Sequence, residues 1–377
     1  MNLDRHISEV CRVFTQPERL GFVSEHDLYD WLRTELGSAE ILDGPVQSDT
    51  GWKHAIAPSG IYHLCAGNLS IAAETSLLIA LVLGSRAWFK LPSSGLTPLE
   101  ALVEDLSDDM KSKITLLKEH DPEIMKACDA VVAYGSNETL EAVRREISWK
   151  QLFVCYGHKI SLGSITGDGI SKDWAERAVE EIMAYDQLGC LSPQSYLCSN
   201  RESAAAFTEL LVSAFERYQI PETSKLPFEA QALIFESRQR AIVAGDLVVT
   251  PDNPASWTVV QREASRIEPG PGFGFIEVVP VEDRHELLQP WRNLISSVSL
   301  SSTKISEEEW AFWQHYGVHR ICQMGNLQRP PLAWPHDGRP RIADLIRWCY
   351  ADPDIEVVHT SKLREPEDVA SGNILFQ

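Results

Sequence analysis

From residue 60 onward, short apolar runs alternate with helical periods. "GIYHLCAG" (60–67) reads as a strand entering a glycine, and "IAAETSLLIALVLG" (71–84) reads as a buried helix ended by Gly84. "RAWFKL" (86–91) is a second strand. "TPLEALVEDLSDDMKSKI" (97–114) has the period of one amphipathic helix with Pro98 in its first turn. "AVVAYGS" (130–136) and "QLFVCYG" (151–157) give a third and a fourth strand around the helix "NETLEAVRREI". Strands that alternate with helices in this way predict a parallel, doubly wound α/β sheet, which binds ligands beyond the carboxyl ends of its strands.

The pattern then repeats. In the helix "SKDWAERAVEEIMAY" (171–185), Trp174, Ala178 and Ile182 share one face. "SYLCS", "ESAAAFTELLVSAFERY", "FEAQALIFESRQRAIV", "SWTVVQ", "FIEVVPV" and "LISSVSL" follow as a second α/β set. The first fifty residues read as helices, with a clear one at "EHDLYDWLRTEL". The end, "RIADLIRWCYADPDIEVVH", predicts one more helix and a strand packed on another element. A chain of 377 residues exceeds one ordinary core, so two domains are expected.

Composition narrows the partners. The net charge of −20 disfavours nucleic acid and anionic membrane, both of which would repel an acidic surface. No run is long enough to span a bilayer, and the start carries no apolar signal core. The eight cysteines form no CxxC pair, which points to reduced thiols in a cytoplasmic chain. His315 and His319 are four apart, but a glycine lies between them and no third ligand follows, so no metal site is expected.

Chemistry concentrates at "AYDQLGCLSPQ" (184–194). Cys190 follows a glycine just past a helix, between the two α/β sets, where clefts form. Asp186, Gln187, Ser192 and Gln194 surround it with polarity unusual for a core. A buried structural thiol is the plain alternative. "DQLGCLSPQ" resembles the nucleophile segment of the LuxC-type acyl-CoA reductases, the fatty-acyl reductase branch of the aldehyde dehydrogenase superfamily. Residues 63–94, 131–144, 156–163 and 316–349 resemble the family's other blocks in order, from about residue 55 to 350.

The resemblance implies an aldehyde dehydrogenase-like fold: a cofactor-binding domain over 1–187 and a catalytic domain over 188–345. A terminal segment over 346–377 would pack back on the cofactor domain or on a partner subunit of a homodimer. It implies NADPH-dependent reduction of an acyl thioester to an aldehyde through an acyl group on Cys190. The donor would be acyl-CoA or an acyl group on a carrier or synthetase protein. Asn68 matches the superfamily's oxyanion-holding asparagine, worth about 3 kcal/mol in such sites, although its place also suits a helix N-cap. Lys90 matches the lysine that holds the adenosine ribose or its phosphate. Ser93 and Ser94 stand where NAD-preferring relatives carry a glutamate, which favours the 2′-phosphate of NADPH. Gly135 and Ser136 open a helix, where N–H groups can meet a pyrophosphate or the pair can serve as a plain helix cap.

Two matches fail. The general-base glutamate of oxidising relatives aligns with Cys155, and the glutamate that holds the nicotinamide ribose aligns with Phe273. A base that activates water would hydrolyse the acyl-enzyme, so its absence suits a reductase. His158 lies nearby and can tune Cys190, bind substrate or serve the structure. His336 and Asp337, in "PHDGRP", read as a turn. Three rivals remain: the reverse, CoA-acylating aldehyde dehydrogenase; a cofactor-independent acyltransferase or thioesterase built on Cys190 and His158; and a non-catalytic subunit of a larger complex.

Overall fold

The computed structural model describes residues 3–14, 23–67, 70–166, 170–219, 226–253 and 256–358. Two helices, α1 (Leu3–Val13) and α2 (Glu25–Leu36), open the chain. Ser24 and Asp27 cap α2 reciprocally, which satisfies two otherwise orphaned N–H groups. The hairpin β1 (Val46–Ser48) and β2 (Gly51–Ile56) follows, with β1 inside the first fifty residues that were expected to be helical.

The first parallel sheet uses β3 (Gly60–Leu64), β4 (Arg86–Lys90), β5 (Ile114–Leu117), β6 (Ala130–Tyr134) and β7 (Leu152–Tyr156), in the order β5-β4-β3-β6-β7. Its first crossover is α3 (Ile71–Leu83), in which every side chain from Ala73 to Leu83 is buried. A helix buried on all sides and mostly apolar belongs inside a core. The helix expected over 97–114 is interrupted. α4 (Thr97–Glu104) ends at Asp105, and Ser107 takes an extended backbone (ψ 155°) before the single turn α5 (Asp108–Lys111). Ser and Asp compete with the helix for backbone groups and favour such breaks. Two further helices, α6 (Pro122–Ala127) and α7 (Asn137–Glu146), connect the last strands; α7 is capped by the Ser136 side chain.

The second sheet has seven strands. It takes β8 (Ile160–Ile165), β9 (Pro193–Cys198), β10 (Leu247–Val249), β11 (Thr258–Gln261), β12 (Phe275–Pro280), β13 (Ile295–Leu300) and β14 (Arg320–Gln323). Their order is β10-β11-β12-β9-β8-β13-β14, parallel except for the antiparallel edge β10. The chain changes sheets at residues 157–159, ahead of the boundary expected at 187, because β8 is central to the second sheet. Helices α8 (Lys172–Met183), α9 (Arg201–Arg217) and α10 (Phe228–Val243) precede its middle and edge strands. α11 (Arg284–Leu288) and α12 (Glu307–His315) flank β13. Apolar clusters around Phe207 and Ile276 and around Val298 and Trp313 pack the sheet, as a largely parallel sheet requires. The helix expected after Arg341 shrinks to one 3-10 turn, Ala343–Leu345. The chain then forms β15 (Arg347–Ala351), antiparallel to β2, because Trp348 and Tyr350 suit a strand better than a helix.

Gly163 of β8 lies against the buried Tyr196 ring, and a Cβ there would overlap the ring carbons. Gly163→Ala should therefore cost about 1–3 kcal/mol of stability, the usual cost of overpacking, measured as a lowered denaturant midpoint.

Candidate active site

The segment that leads to Cys190 is built under strain. After α8, Tyr185, Asp186 and Gln187 all take left-handed backbone (φ 56°, 52° and 60°). Each costs about 1–2 kcal/mol for a residue with a Cβ, so the surroundings must hold the turn. Gln187 does so from within: its Nε2 donates to Pro193 O at 2.7 Å and to Phe275 O at 2.9 Å. Phe273 N–H donates to Asp186 O at 2.8 Å. Ser192 N–H donates to Gly189 O at 3.0 Å, closing a turn around Cys190. The Ser161 hydroxyl on β8 holds the Cys190 carbonyl at 2.7 Å, next to a bulge in the β8–β9 register. Gln328 Nε2 reaches Ser192 Oγ at 2.8 Å, tying the turn to the segment after β14.

Cys190 faces a cavity of about 1310 Å³ between the two sheets. One wall is formed by Ala66, Gly67, Gly135, Ser136 and Gly157, beyond the carboxyl ends of β3, β6 and β7. Another is the apolar stretch Pro330–Leu332 with Trp334. His336 brings its Nε2 to 3.8 Å from Cys190 Sγ. The His336 ring lies nearly parallel to Tyr156 (4.3 Å, 17°) and 5.0 Å from Trp334. Asp337 accepts from the Ser296 hydroxyl at 3.0 Å and lies 3.8 Å from Lys159 Nζ.

Burial governs the charges. It pushes the Cys190 thiol up to about 12, helped by Asp337. The N–H groups of Cys190 and Leu191 and the Lys159 ammonium pull weakly the other way. It pushes His336 down to about 4, with Arg341 and Lys159 adding to the effect against Asp337. The resting pair is therefore a neutral thiol beside a neutral imidazole.

A family model described as "Acyl-CoA reductase (LuxC)" matches residues 8–348. The chain belongs to this family. The long-chain acyl-protein thioester reductase of Aliivibrio fischeri is 26% identical over 344 residues, covering 86% of this chain and 70% of that protein. Its counterpart in Photorhabdus luminescens is 24% identical over 347 residues, with the same coverage. Among solved structures, methylmalonate-semialdehyde dehydrogenase (DddC) from Oceanimonas doudoroffii superposes with a TM-score of 0.67 at 14% identity, covering 94% of this chain and 84% of that one. Aldehyde dehydrogenase 21 from Physcomitrella patens gives 0.65 at 15% identity, covering 92% and 84%. The fold is that of the aldehyde dehydrogenases.

Of the residues singled out in this LuxC-family sequence, Cys190, Gly135, Ser136, His158 and Gln187 line the cavity. Asn68 lies outside the described residues; the N-cap position of α3 is Ser70. Lys90 and Ser93 do not line the cavity. They end β4 in a turn close to it: a Cβ on Gly67 would meet Pro92 at 3.2 Å and Ser94 Oγ at 4.0 Å. Cys155 is not on the cavity wall, whereas its neighbour Tyr156 is, because successive strand residues face opposite ways. His158 is exposed, and the histidine that meets the sulfur is His336. The turn reading of "PHDGRP" holds for the backbone, with Asp337 and Gly338 at φ 52° and 77°, but it missed this contact. Among the described residues, no three metal-binding side chains gather to hold an ion, and no helix is long and apolar enough to cross a membrane.

Proposed function

We propose that this LuxC-family protein reduces acyl thioesters to aldehydes with NADPH, through an acyl group carried on Cys190. The observation that carries the reading is a shared cavity: the Cys190 thiol and the start of α7 open into the same space. The donor set there suits a nicotinamide dinucleotide. Gly67 and Gly135 leave the backbone bare, and the first turn of α7 offers N–H groups to a pyrophosphate. That turn already draws an anion, since the Glu138 carboxyl is held below its usual range by its own N–H and the Ser136 hydroxyl.

When bound, the reduced cofactor supplies a hydride to the thioester carbonyl. The chain's own residues do the rest. Cys190 attacks the donor thioester and keeps the acyl group; thioester exchange is nearly isoenergetic and leaves an electrophile in place. Asn68 and the N–H of Cys190 are assigned to the oxyanion. Gln187 keeps the strained turn in register through its two carbonyl contacts. The apolar wall of Pro330–Leu332 and Trp334 suits an alkyl chain. The five-stranded sheet is assigned to the cofactor and the seven-stranded sheet to the nucleophile. The names of the relatives favour a protein-bound acyl donor, with acyl-CoA as its soluble equivalent. Phe228, Leu233, Ile242 and Val243, exposed on α10, support a homodimer.

The test is a screen of acyl-CoAs of graded length with NADPH and with NADH, following loss of reduced-cofactor absorbance. Loss with none of them would remove the reading. Lys90 is assigned to the 2′-phosphate. Lys90→Ala should raise the KM for NADPH about 10- to 100-fold, the effect of losing one charged hydrogen bond, with little change for NADH. Equal changes for both would show that Lys90 does not meet that phosphate.

A further inference from the structure

A thiol held near 12 is ionised to only about one part in 10⁵ at pH 7. Lys159 is too weak a partner to correct this. Its ammonium already pairs with Asp337 at 3.8 Å, and the Asp337 charge works against ionisation of the sulfur. His336 Nε2, at 3.8 Å, is the basic side-chain atom recorded in contact with Sγ among the described residues. The ring is not free to wander. It is stacked on Tyr156, bordered by Trp334, and fixed by backbone pairing between His336 and Arg339. The other groups facing this pair are Asp337, Lys159 and Arg341, with the Tyr134 and Tyr156 phenols. Both phenols are pushed up by burial, so they stay protonated near neutral pH and cannot act as the base.

We propose that His336 is a catalytic residue: the general base, and then the general acid, of acyl transfer to Cys190. This rests on the thioester reading above. As the Sγ–carbon bond forms, the thiol proton passes to Nε2, which is unprotonated at rest. When the tetrahedral adduct collapses, the bond from carbon to the donor sulfur breaks, and its electron pair stays on that sulfur. Nε2 returns the proton to the departing thiolate. The ring ends neutral, the donor leaves as a thiol, and nothing is oxidised or reduced in the step. The neutral resting pair has a consequence: transfer needs no free thiolate, so its rate should be nearly flat across the neutral range.

The experiment uses the full-length protein, decanoyl-CoA and no reduced cofactor. It reads release of free CoA thiol in a single turnover, together with the protein mass, between pH 6 and 9. Wild type should acylate at a nearly constant rate. His336→Gln should acylate about 10²–10⁴-fold more slowly at pH 7, the usual worth of a positioned base. Its rate should climb about tenfold per pH unit, because the variant must wait for thiolate. A variant within a few-fold of wild type, or one slowed equally at every pH, would overturn the assignment and leave His336 as packing. Should His336→Gln fail to fold, His336→Ala with added imidazole takes its place. Acylation restored in proportion to free-base imidazole is expected, and absence of restoration overturns the proposal. A wild-type protein that takes no acyl group overturns this proposal and the thioester reading together; an acylated wild type with an unimpaired variant overturns this one alone.

Discussion

Cys190→Ala is expected to abolish acyl-thioester reduction while leaving the protein folded. Removing the nucleophile of a covalent mechanism costs on the order of 10⁴-fold or more in kcat. The fold should survive because the sulfur holds nothing up. The turn is fixed by the Ser161 hydroxyl on the Cys190 carbonyl, by the two carbonyl contacts of Gln187 and by Gln328 on Ser192. Among the described residues, the only side-chain contact recorded for Sγ is His336. Losing one small sulfur from the wall of an existing cavity should change the unfolding free energy by less than about 1 kcal/mol. Labelled acyl-CoA without NADPH should mark wild type and not the variant. Mapping the label by mass spectrometry decides between Cys190 and its neighbours. Cys65, just past the end of β3 and half-buried, is one competitor, although burial pushes its thiol up to about 12 as well. A label on Cys65, or an active Cys190→Ala protein, would end the mechanism.

The parts of this molecule that were legible in the sequence are those written within a dozen residues. The period of "FEAQALIFESRQRAIV" gave α10 its observed bounds, Phe228–Val243. The mostly apolar run after residue 71 gave α3, and Gly84 ends it in a left-handed turn. The misses were non-local. β2 is a strand partly because β15 lies beside it, and β15 comes from the other end of the chain. β8 carries no strand pattern of its own, since Gly163 and two serines dilute its apolar character; it is a strand because β9 and β13 enclose it. The site divides in the same way. Cys190 announced itself through the Gly-Cys turn and the surrounding blocks. The His336 contact spans 146 positions and left no local mark. Neither did the left-handed run Tyr185–Gln187, which contains no Gly or Asn to signal it.

Glu181 is the residue whose loss should cost most in stability. It is buried on α8 and gathers four donors from three directions. Oε1 accepts from the Tyr196 hydroxyl at 2.8 Å and from Ser299 at 2.7 Å; Oε2 accepts from the N–H groups of Gly325 at 2.7 Å and Leu327 at 3.4 Å. One carboxylate thus joins β9, β13 and the segment that runs on to Gln328 and His336. Burial raises its pKa, and the four donors oppose that shift. Glu181→Ala orphans two backbone N–H groups that cannot rotate away, along with two buried hydroxyls. At about 1–3 kcal/mol for each buried orphan, partly relieved by water, the loss should reach about 3–5 kcal/mol. Glu181→Gln separates charge from hydrogen bonding. Its amide oxygen can serve Gly325 and Leu327, while its NH₂ donates to Tyr196 and Ser299, whose hydroxyls can turn to accept. The Gln variant should therefore lose only about 1 kcal/mol. Denaturant unfolding of the three proteins gives both numbers. If Gln proves as costly as Ala, the charge rather than the geometry is what Glu181 supplies. If neither variant is destabilised, the segment that carries His336 is anchored elsewhere.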